Sequence, residues 1–290
     1  MTTTGHDEPP GLGILAGGGP LPGQVAAAAL RAGYRVFIVG FADFAEPSVI
    51  APWPHEVIRL AAAGQILAAL RRQRCRELVL IGPVRRPSLR DLRPDAEGTR
   101  ILARIGRSLF GGDDGLLGAL VRVLGEEGFA VRGAHEFLAD GVAAAGSMGR
   151  VAPDARALSD IARGAAVLRT LGVLDIGQGC VVQDNLVLAV EALEGTDRML
   201  ERAAGLLQPG PGGVLVKLVK PGQERRADLP TIGPLTVEHA AAAGLRGIAV
   251  EAGYTLLTDR VGCIATADRT GLFLVGIDGN RIDSNQRQTT

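Results

Sequence analysis

The sequence predicts an α/β protein of two domains: a Rossmann-like domain with a parallel sheet over residues 1–145, and a second α/β domain over residues 146–290. Three observations lead to this prediction. Short apolar runs alternate with helix-like segments through the first half of the chain. Hydrophobic residues make up 47% of the sequence, which is enough for two cores. A small-residue, weakly patterned stretch over residues 140–153 separates the halves.

The first half alternates between the two kinds of element. The predicted strands are 12–16, 35–39, 56–60, 77–81 and 130–131, and the predicted helices are 25–31, 65–74, 97–108 and 115–127. Strands that alternate with helices over such short connections favour a parallel sheet covered by helices.

The second half has a different order. It begins with a predicted helix over 161–171 and a β-rich stretch over 179–189 that turns near Asp184 and Asn185. The later predicted helices are 198–206 and 237–243, and the later predicted strands are 214–220, 247–250 and 272–275. Residues 281–290 are polar and are predicted to be a frayed tail.

Composition excludes several classes of function. Lys+Arg and Asp+Glu balance at 31 each, so no overall positive field recruits nucleic acid. The N-terminus has no basic-then-apolar leader, and no uncharged apolar stretch is long enough to span a bilayer, which indicates a cytoplasmic protein. The scattered cysteines and histidines form no local metal-ligand pair, and the sequence predicts reduced thiols at Cys75, Cys180 and Cys263.

A glycine cluster at Gly17, Gly18 and Gly19 lies between the first predicted strand and helix. Backbone N–H groups at such a position can approach a phosphate, and the helix dipole favours negative charge there. The register differs from the dinucleotide fingerprint, because Gly11 and Gly13 precede or begin the strand. A nucleotide or sugar-phosphate contact, a tight turn without a ligand and NAD(P) binding all stay open.

Two other segments of the first half carry charge near predicted element ends. Arg85, Arg86 and Arg90 follow a strand and could bind phosphate, or they form a solvated loop. Asp113 and Asp114 open a helix. One of them suffices as a helix cap, so the second is a candidate for metal or ribose contact.

Charged residues of the second half are more concentrated. Glu191, Glu194 and Asp197 place three carboxylates within seven residues. Lys217 follows in a predicted strand, where alternation puts it on one face with Leu215. A lysine on an apolar face needs an anionic partner. These residues form either a surface ion-pair network or a site where cations bind phosphates and carboxylates bind Mg²⁺.

Several motifs in order over residues 11–240 resemble the UDP-2,3-diacylglucosamine pyrophosphatase family of lipid A synthesis, the metal-dependent type unrelated to calcineurin-like phosphoesterases. The matching segments are GILAGGGPLP, GPVRRPSL, GDDGLL, DIGQGCVV, AVEALEGTDRML and VLVKLVKPGQERRADLPTIG. Two positions depart from the family pattern: Glu224 stands where the pattern has Asp, and Pro83 stands where it commonly has Lys.

The resemblance implies an enzyme that hydrolyses UDP-2,3-diacylglucosamine to UMP and 2,3-diacylglucosamine 1-phosphate (lipid X), with the substrate between two domains. It implies a divalent metal, Mg²⁺ or Mn²⁺. It also implies a cytoplasmic protein that contacts the inner membrane peripherally, because the substrate carries acyl chains. A homodimer is the default expectation.

For the hydrolysis that the resemblance implies, Asp228 is the predicted catalytic carboxylate, as a metal ligand or as the base that orients water. Lys217 and Arg226 are predicted to stabilise charge on the phosphates. If residues 226–228 are extended, Arg226 and Asp228 lie on the same side. The further predicted metal ligands are Asp197, Glu194 and Glu191. The predicted substrate contacts are Gly17, Gly18, Gly19, Asp114, Gln178, Thr196, Lys220 and Gln223.

Two other functions compete with this hypothesis. The first is a non-catalytic nucleotide-sugar or lipid-binding protein, or a regulatory subunit, which would bind the ligand without metal-dependent turnover. The second is an NAD(P)-dependent oxidoreductase, which the misplaced glycines argue against. The decisive difference is turnover of the lipid-linked UDP-sugar in the presence and absence of EDTA.

Overall fold

A computed structural model describes residues 8–85, 93–106 and 113–278 of the chain, with only the backbone described at residues 113 and 114. The chain divides into two compact units. The first comprises Met1–Leu138 together with Glu224–Asp228, and the second comprises Ala139–Gln223 together with Leu229–Thr290. The sequence predicts one domain boundary, after residue 145. In the structure, the segment Glu224–Asp228 of the second half also belongs to the first unit.

The first unit contains a five-stranded sheet. Its strands are β1 (Gly11–Ala16), β2 (Arg35–Phe41), β3 (His55–Ile58), β4 (Glu77–Ile81) and β5 (Ala130–Val131). They lie in the order β3-β2-β1-β4-β5, and every neighbouring pair is parallel. Every residue of the central strand β1 is buried, as expected of a strand covered on both faces. The order is that of a doubly wound sheet, and the predicted α/β fold with a parallel sheet in the first half of the chain is confirmed.

Five helices accompany this sheet among the described residues: α1 (Leu21–Arg31), α2 (Pro47–Ile50), α3 (Ala63–Arg72), α4 (Ala96–Ile105) and α5 (Asp113–Glu126). α1 follows β1 directly and has a proline in its first turn, where a missing N–H costs nothing. Asp95 caps α4 by accepting from the Gly98 N–H at 2.6 Å, and it also accepts from the Gly64 N–H of α3 at 2.9 Å. One carboxylate therefore joins two helix N-termini.

The second unit contains a six-stranded mixed sheet. Its strands are β6 (Gly146–Ser147), β7 (Gly179–Gln183), β8 (Leu186–Val190), β9 (Val214–Lys217), β11 (Gly247–Glu251) and β13 (Phe273–Ile277). They lie in the order β6-β13-β11-β9-β7-β8, in which β9, β11 and β13 are parallel and the outer pairings are antiparallel. A separate parallel pair is formed by β10 (Thr231–Ile232) and β12 (Leu256–Leu257).

The two faces of the six-stranded sheet pack against different helices. One face, with Val214 and Val216 of β9, packs against α6 (Ala155–Gly172). The other face, with Leu215, packs against residues of α7 (Gly195–Ala204), α8 (Pro234–Ala242) and α9 (Arg260–Thr270). Alternation along β9 therefore points Lys217 to the face that carries α7.

Each predicted element has an observed counterpart of the same kind, and their ends differ. α6 begins at Ala155 rather than at residue 161, because Asp154 caps it by accepting from the Ala157 N–H at 2.8 Å. β9 ends at Lys217 rather than at residue 220. The 11-residue helix α9 was not predicted. Nor were the short elements α2, β6, β10 and β12, since two- to four-residue segments carry no readable periodicity. Within the described ranges, no helix combines the length and apolar character needed to cross a bilayer.

Candidate active site

Four strands of the six-stranded sheet begin or end at one edge, and three of them bring a charged residue there. β9 and β11 are parallel and end there, at Lys217 and Glu251, while the antiparallel β7 begins there at Gly179. β8 runs back to the same edge, where the Glu191 N–H donates to the Gly179 carbonyl at 2.8 Å. Residues that are distant in sequence are therefore brought together by strand direction alone.

Lys217 is buried at this edge, with 5% of its surface exposed. Its ammonium Nζ donates to Thr196 Oγ1 at 2.6 Å. The Thr196 hydroxyl in turn donates to Glu191 Oε1 at 2.8 Å. The anionic partner that Lys217 requires is therefore Glu191, which it reaches through the hydroxyl of Thr196 in the first turn of α7.

Two side-chain oxygen atoms in this part of the second unit are buried without a hydrogen-bond partner among the described residues. They are Glu191 Oε2 and Gln178 Oε1. Glu191 packs directly on the start of β7, since a Cβ at Gly179 would lie 2.7 Å from Glu191 Oε2. Gly177 has a φ of 57°, and a Cβ there would lie 2.0 Å from the Glu191 carbonyl oxygen. The Gly177 position therefore requires glycine. A buried acceptor without a donor is costly, which marks Glu191 as a ligand-binding candidate.

Lys220 has a partner of its own. Its ammonium pairs with Asp175, and both side chains are mostly buried. The Lys220 N–H donates to Gln223 Oε1 at 2.9 Å, and the Gln223 N–H donates back to the Lys220 carbonyl at 3.2 Å. The predicted substrate contacts Lys220 and Gln223 thus belong to one internally bonded loop that follows β9.

The other two carboxylates of the acidic cluster lie against different side chains. Arg202 donates to Glu194 Oε1 at 2.6 Å. Asp197 Oδ1 lies 3.1 Å from Nδ1 of His239 on α8, in an orientation that is not a hydrogen bond. Glu194 is the N-cap residue of α7 and Asp197 lies in its first turn. Across residues 8–85, 93–106 and 113–278, no three His, Cys, Asp or Glu residues are grouped as metal ligands.

The segment Glu224–Asp228 forms a turn within the first unit. The Asp228 N–H donates to the Glu224 carbonyl at 3.0 Å, and Ala227 packs against the hydrophobic core of that unit. The premise that residues 226–228 are extended is therefore wrong. Arg226 makes a two-point contact with the Glu224 carboxylate, at 2.8 and 2.7 Å, and this guanidinium lowers the pKa of Glu224. Glu224, a departure from the family pattern, thus orients Arg226.

The glycine loop after β1 packs against the loop after β4. The Gly17 and Gly18 N–H groups donate to the Ile81 and Pro83 carbonyls at 2.9 and 3.0 Å. The Gly19 N–H donates to Glu46 Oε1 at 2.9 Å. A Cβ at Gly17 would lie 2.4 Å from the Gly82 carbonyl oxygen, so close packing explains that glycine. The predicted phosphate contact of this loop stays a prediction.

Two further predictions concern residues on or near the boundary of the described ranges. Arg85 is exposed after β4, while Arg86 and Arg90 lie outside the described residues. Asp114 lies in the first turn of α5, and its side chain is outside the described part of the chain. The ribose or metal contact of Asp114 stays a prediction.

The three cysteines do not offer a nucleophile. All three are buried, and burial raises the pKa of Cys75 and Cys263 to about 11 and that of Cys180 to about 12. Their thiols stay protonated at neutral pH, and a protonated thiol is a poor nucleophile. The arrangement around Lys217 instead offers a fixed buried cation, suited to binding a phosphate and stabilising its charge.

Comparison with known protein families identifies the chain. The family model "LpxI N-terminal domain" matches residues 11–141, and the model "LpxI C-terminal domain" matches residues 144–275. A relative from Caulobacter vibrioides, UDP-2,3-diacylglucosamine pyrophosphatase LpxI, is 42% identical over 273 residues, which cover 92% of this chain and 97% of the relative. The resemblance seen in the motifs is thereby confirmed, and the chain belongs to the LpxI family.

Proposed function

We propose that this chain hydrolyses the pyrophosphate bond of UDP-2,3-diacylglucosamine, giving UMP and 2,3-diacylglucosamine 1-phosphate. The proposal rests on the similarity to the relative named UDP-2,3-diacylglucosamine pyrophosphatase LpxI, which matches nearly the whole chain at 42% identity. The buried Lys217, held by Thr196 and Glu191, supports it because hydrolysis of a phosphoric anhydride requires a fixed positive charge.

In the proposed reaction, the oxygen of water bonds to one phosphorus, and the bridging oxygen leaves with the other phosphate. Charge increases on the phosphate oxygens as this happens, and Lys217 and Arg226 stabilise it. Asp228 accepts a proton from the attacking water or orients it. The contact with Glu224 favours the role of Arg226, because it fixes the plane of the guanidinium.

We place the nucleotide at the first unit. In the order β3-β2-β1-β4-β5, the chain changes direction across the sheet between β1 and β4, and ligands of such sheets bind beyond the carboxyl ends of the strands at this point. The loop with Gly17, Gly18 and Gly19 lies there, followed by α1, whose N-terminus has no side-chain cap. Phosphate would interact with that N-terminus, because the N–H groups of the three glycines already have acceptors.

For the predicted metal, the second unit offers Glu191 Oε2, a buried carboxylate oxygen with no hydrogen-bond partner among the described residues. Mg²⁺ in proteins is commonly held by one or two carboxylates together with water and substrate phosphates, so this oxygen fits. Bound there, Mg²⁺ would neutralise charge on the diphosphate. Asp228 stays a predicted ligand. Glu194 and Asp197 are weaker candidates, since Arg202 and His239 face them.

The proposal is tested by incubating the full chain with UDP-2,3-diacylglucosamine and measuring UMP by chromatography. We expect turnover with Mg²⁺ or Mn²⁺, at least about 100-fold loss with EDTA, and recovery when the metal is restored. UDP-N-acetylglucosamine, which lacks acyl chains, is the control substrate and should be turned over poorly. Binding of the lipid-linked substrate without UMP formation would favour the non-catalytic alternative, and turnover unaffected by EDTA would contradict the metal.

We also propose that the chain works in the cytoplasm and contacts the membrane peripherally, with a homodimer as the default state. The membrane contact is supported by four exposed apolar side chains on two neighbouring loops of the second unit. The loops are adjacent because Gly177 packs on the Glu191 carbonyl. The side chains, defined here as the apolar patch, are Val173, Leu174, Ile176 and Leu193.

Substitution of Leu193 by aspartate is expected to weaken binding to vesicles of phosphatidylethanolamine and phosphatidylglycerol about tenfold, because a fully exposed leucine would lose its transfer into lipid. Cosedimentation measures the bound fraction. Leu158→Asp is the matched control, since Leu158 is also exposed but lies near the start of α6, roughly 20 Å along the helix from Val173. Equal losses in both variants, or no binding by the unaltered chain, would contradict this role.

A further inference from the structure

The chain contains 31 basic residues of the Lys and Arg types, and only two of them are lysines, Lys217 and Lys220. Arginine supplies every other such charge, including all those on exposed surfaces. Both lysines are largely buried, and each has its own carboxylate: Glu191 through Thr196, and Asp175 directly. The ammonium of lysine is a compact charge with three rotatable donors, whereas the guanidinium of arginine is planar.

The hydroxyl of Thr196 joins the first of these pairs. A hydroxyl accepts one hydrogen bond while it donates another, and Thr196 does both, accepting from Lys217 and donating to Glu191. In the part of the chain that the structure describes, Thr196 is the one side chain that hydrogen-bonds to Lys217 Nζ. Two of the three ammonium donors are therefore left for a ligand.

Backbone packing holds the carboxylate end of this chain of hydrogen bonds in place. The Glu191 N–H is bonded to Gly179, and Gly177 and Gly179 lack the Cβ atoms that would collide with Glu191. Thr196 is fixed separately, because it lies in the first turn of α7, whose Met199, Leu200 and Ala203 are fully buried. Glu191, which follows β8, and Thr196, at the start of α7, therefore orient the Lys217 ammonium together.

We propose that Thr196 and Glu191 are positioning residues, which hold the Lys217 ammonium so that its two remaining donors bind an oxygen of the substrate diphosphate. This rests on the proposed function. It assigns Thr196 a task different from the predicted direct contact with substrate. Glu191 supplies the counter-charge that keeps a buried ammonium in place, and its Oε2 stays available for a metal.

The test compares Thr196→Val, which removes the hydroxyl and keeps the shape, with Thr196→Ser, which keeps the hydroxyl. We expect Thr196→Val to lower kcat about 10- to 100-fold with KM little changed, and Thr196→Ser to stay within about threefold of the unaltered enzyme. Thr170→Val is the matched control, because Thr170 is an exposed threonine whose hydroxyl donates to the Ala166 carbonyl of its own helix. Thr196 is chosen over Glu191 because it is not a candidate metal ligand.

Normal kcat in Thr196→Val would overturn the proposal. So would a raised KM with unchanged kcat, which indicates direct substrate binding, or an equal loss in Thr196→Ser, which indicates packing of the methyl group. A second measurement, by NMR of the lysine side chains, separates a change at Lys217 from a loss of activity that is caused by misfolding. The full chain with ¹³Cε-labelled lysine gives two methylene signals, because it has two lysines, and Lys217→Arg assigns them.

We expect Thr196→Val to shift the Lys217 signal and leave the Lys220 signal in place, and Thr196→Ser to restore the original position of the first. An unchanged Lys217 signal in a folded Thr196→Val protein would overturn the positioning role. If the unaltered chain does not hydrolyse UDP-2,3-diacylglucosamine but the signals behave as expected, the proposed function fails and the positioning of Lys217 stands.

Discussion

Replacement of Asp228 by asparagine is expected to lower kcat about 10²- to 10⁴-fold, the contribution of a positioned general base or orienting carboxylate. Asparagine has nearly the same shape, so the Asp228 N–H bond to Glu224 and the packing of Ala227 are retained. The variant should therefore unfold at the same urea concentration as the unaltered chain. Steady-state release of UMP and urea unfolding followed by circular dichroism measure the two quantities.

Asp140→Asn is the matched control for this substitution. Asp140 is an exposed aspartate of the second unit, and the same loss of one charge there should leave turnover within about twofold, as for most surface substitutions. Near-normal kcat in Asp228→Asn would remove Asp228 from the mechanism. A matching loss of stability in Asp228→Asn would instead show that the carboxylate supports the turn.

Replacement of Lys217 by methionine is expected to affect both activity and stability. Turnover should fall about 10²- to 10³-fold, the usual effect of removing one group that stabilises charge in the transition state. The free energy of unfolding should fall by about 2–4 kcal/mol, because Glu191 would stay buried without a counter-charge. The expected loss is at or below that of a directly paired buried charge, since Thr196 still bonds to the carboxylate.

The double variant Lys217→Met, Glu191→Gln separates the two effects. With both charges removed, stability should return to within about 1 kcal/mol of the unaltered chain, as for buried ion pairs replaced by neutral groups. Activity should stay low, because the ammonium is still absent. If the second substitution brings no recovery of stability, the two charges are not coupled; if Lys217→Met alone keeps full turnover, Lys217 has no catalytic role.

Most of the architecture could be predicted because it depends on local patterns. The parallel sheet of the first unit follows from the alternation of short apolar runs and helices, and β4 and β5 have the predicted bounds. Lys217 could be identified as needing an anionic partner, because strand alternation put it on an apolar face. The partner itself could not be named, since the spacing of Glu191, Glu194 and Asp197 suggested one cluster.

Family membership and the two-unit α/β architecture were determined by the sequence alone, because motif order and hydrophobic periodicity are properties of the chain itself. Which of the predicted site residues contact each other was decided only by the tertiary structure. The antiparallel course of β7 and β8 returns Glu191 to the edge where Lys217 ends β9, while Glu194 and Asp197 lie against Arg202 and His239. Likewise, the turn that carries Asp228 belongs to the first unit because Ala227 packs in its core, a contact between residues far apart in sequence.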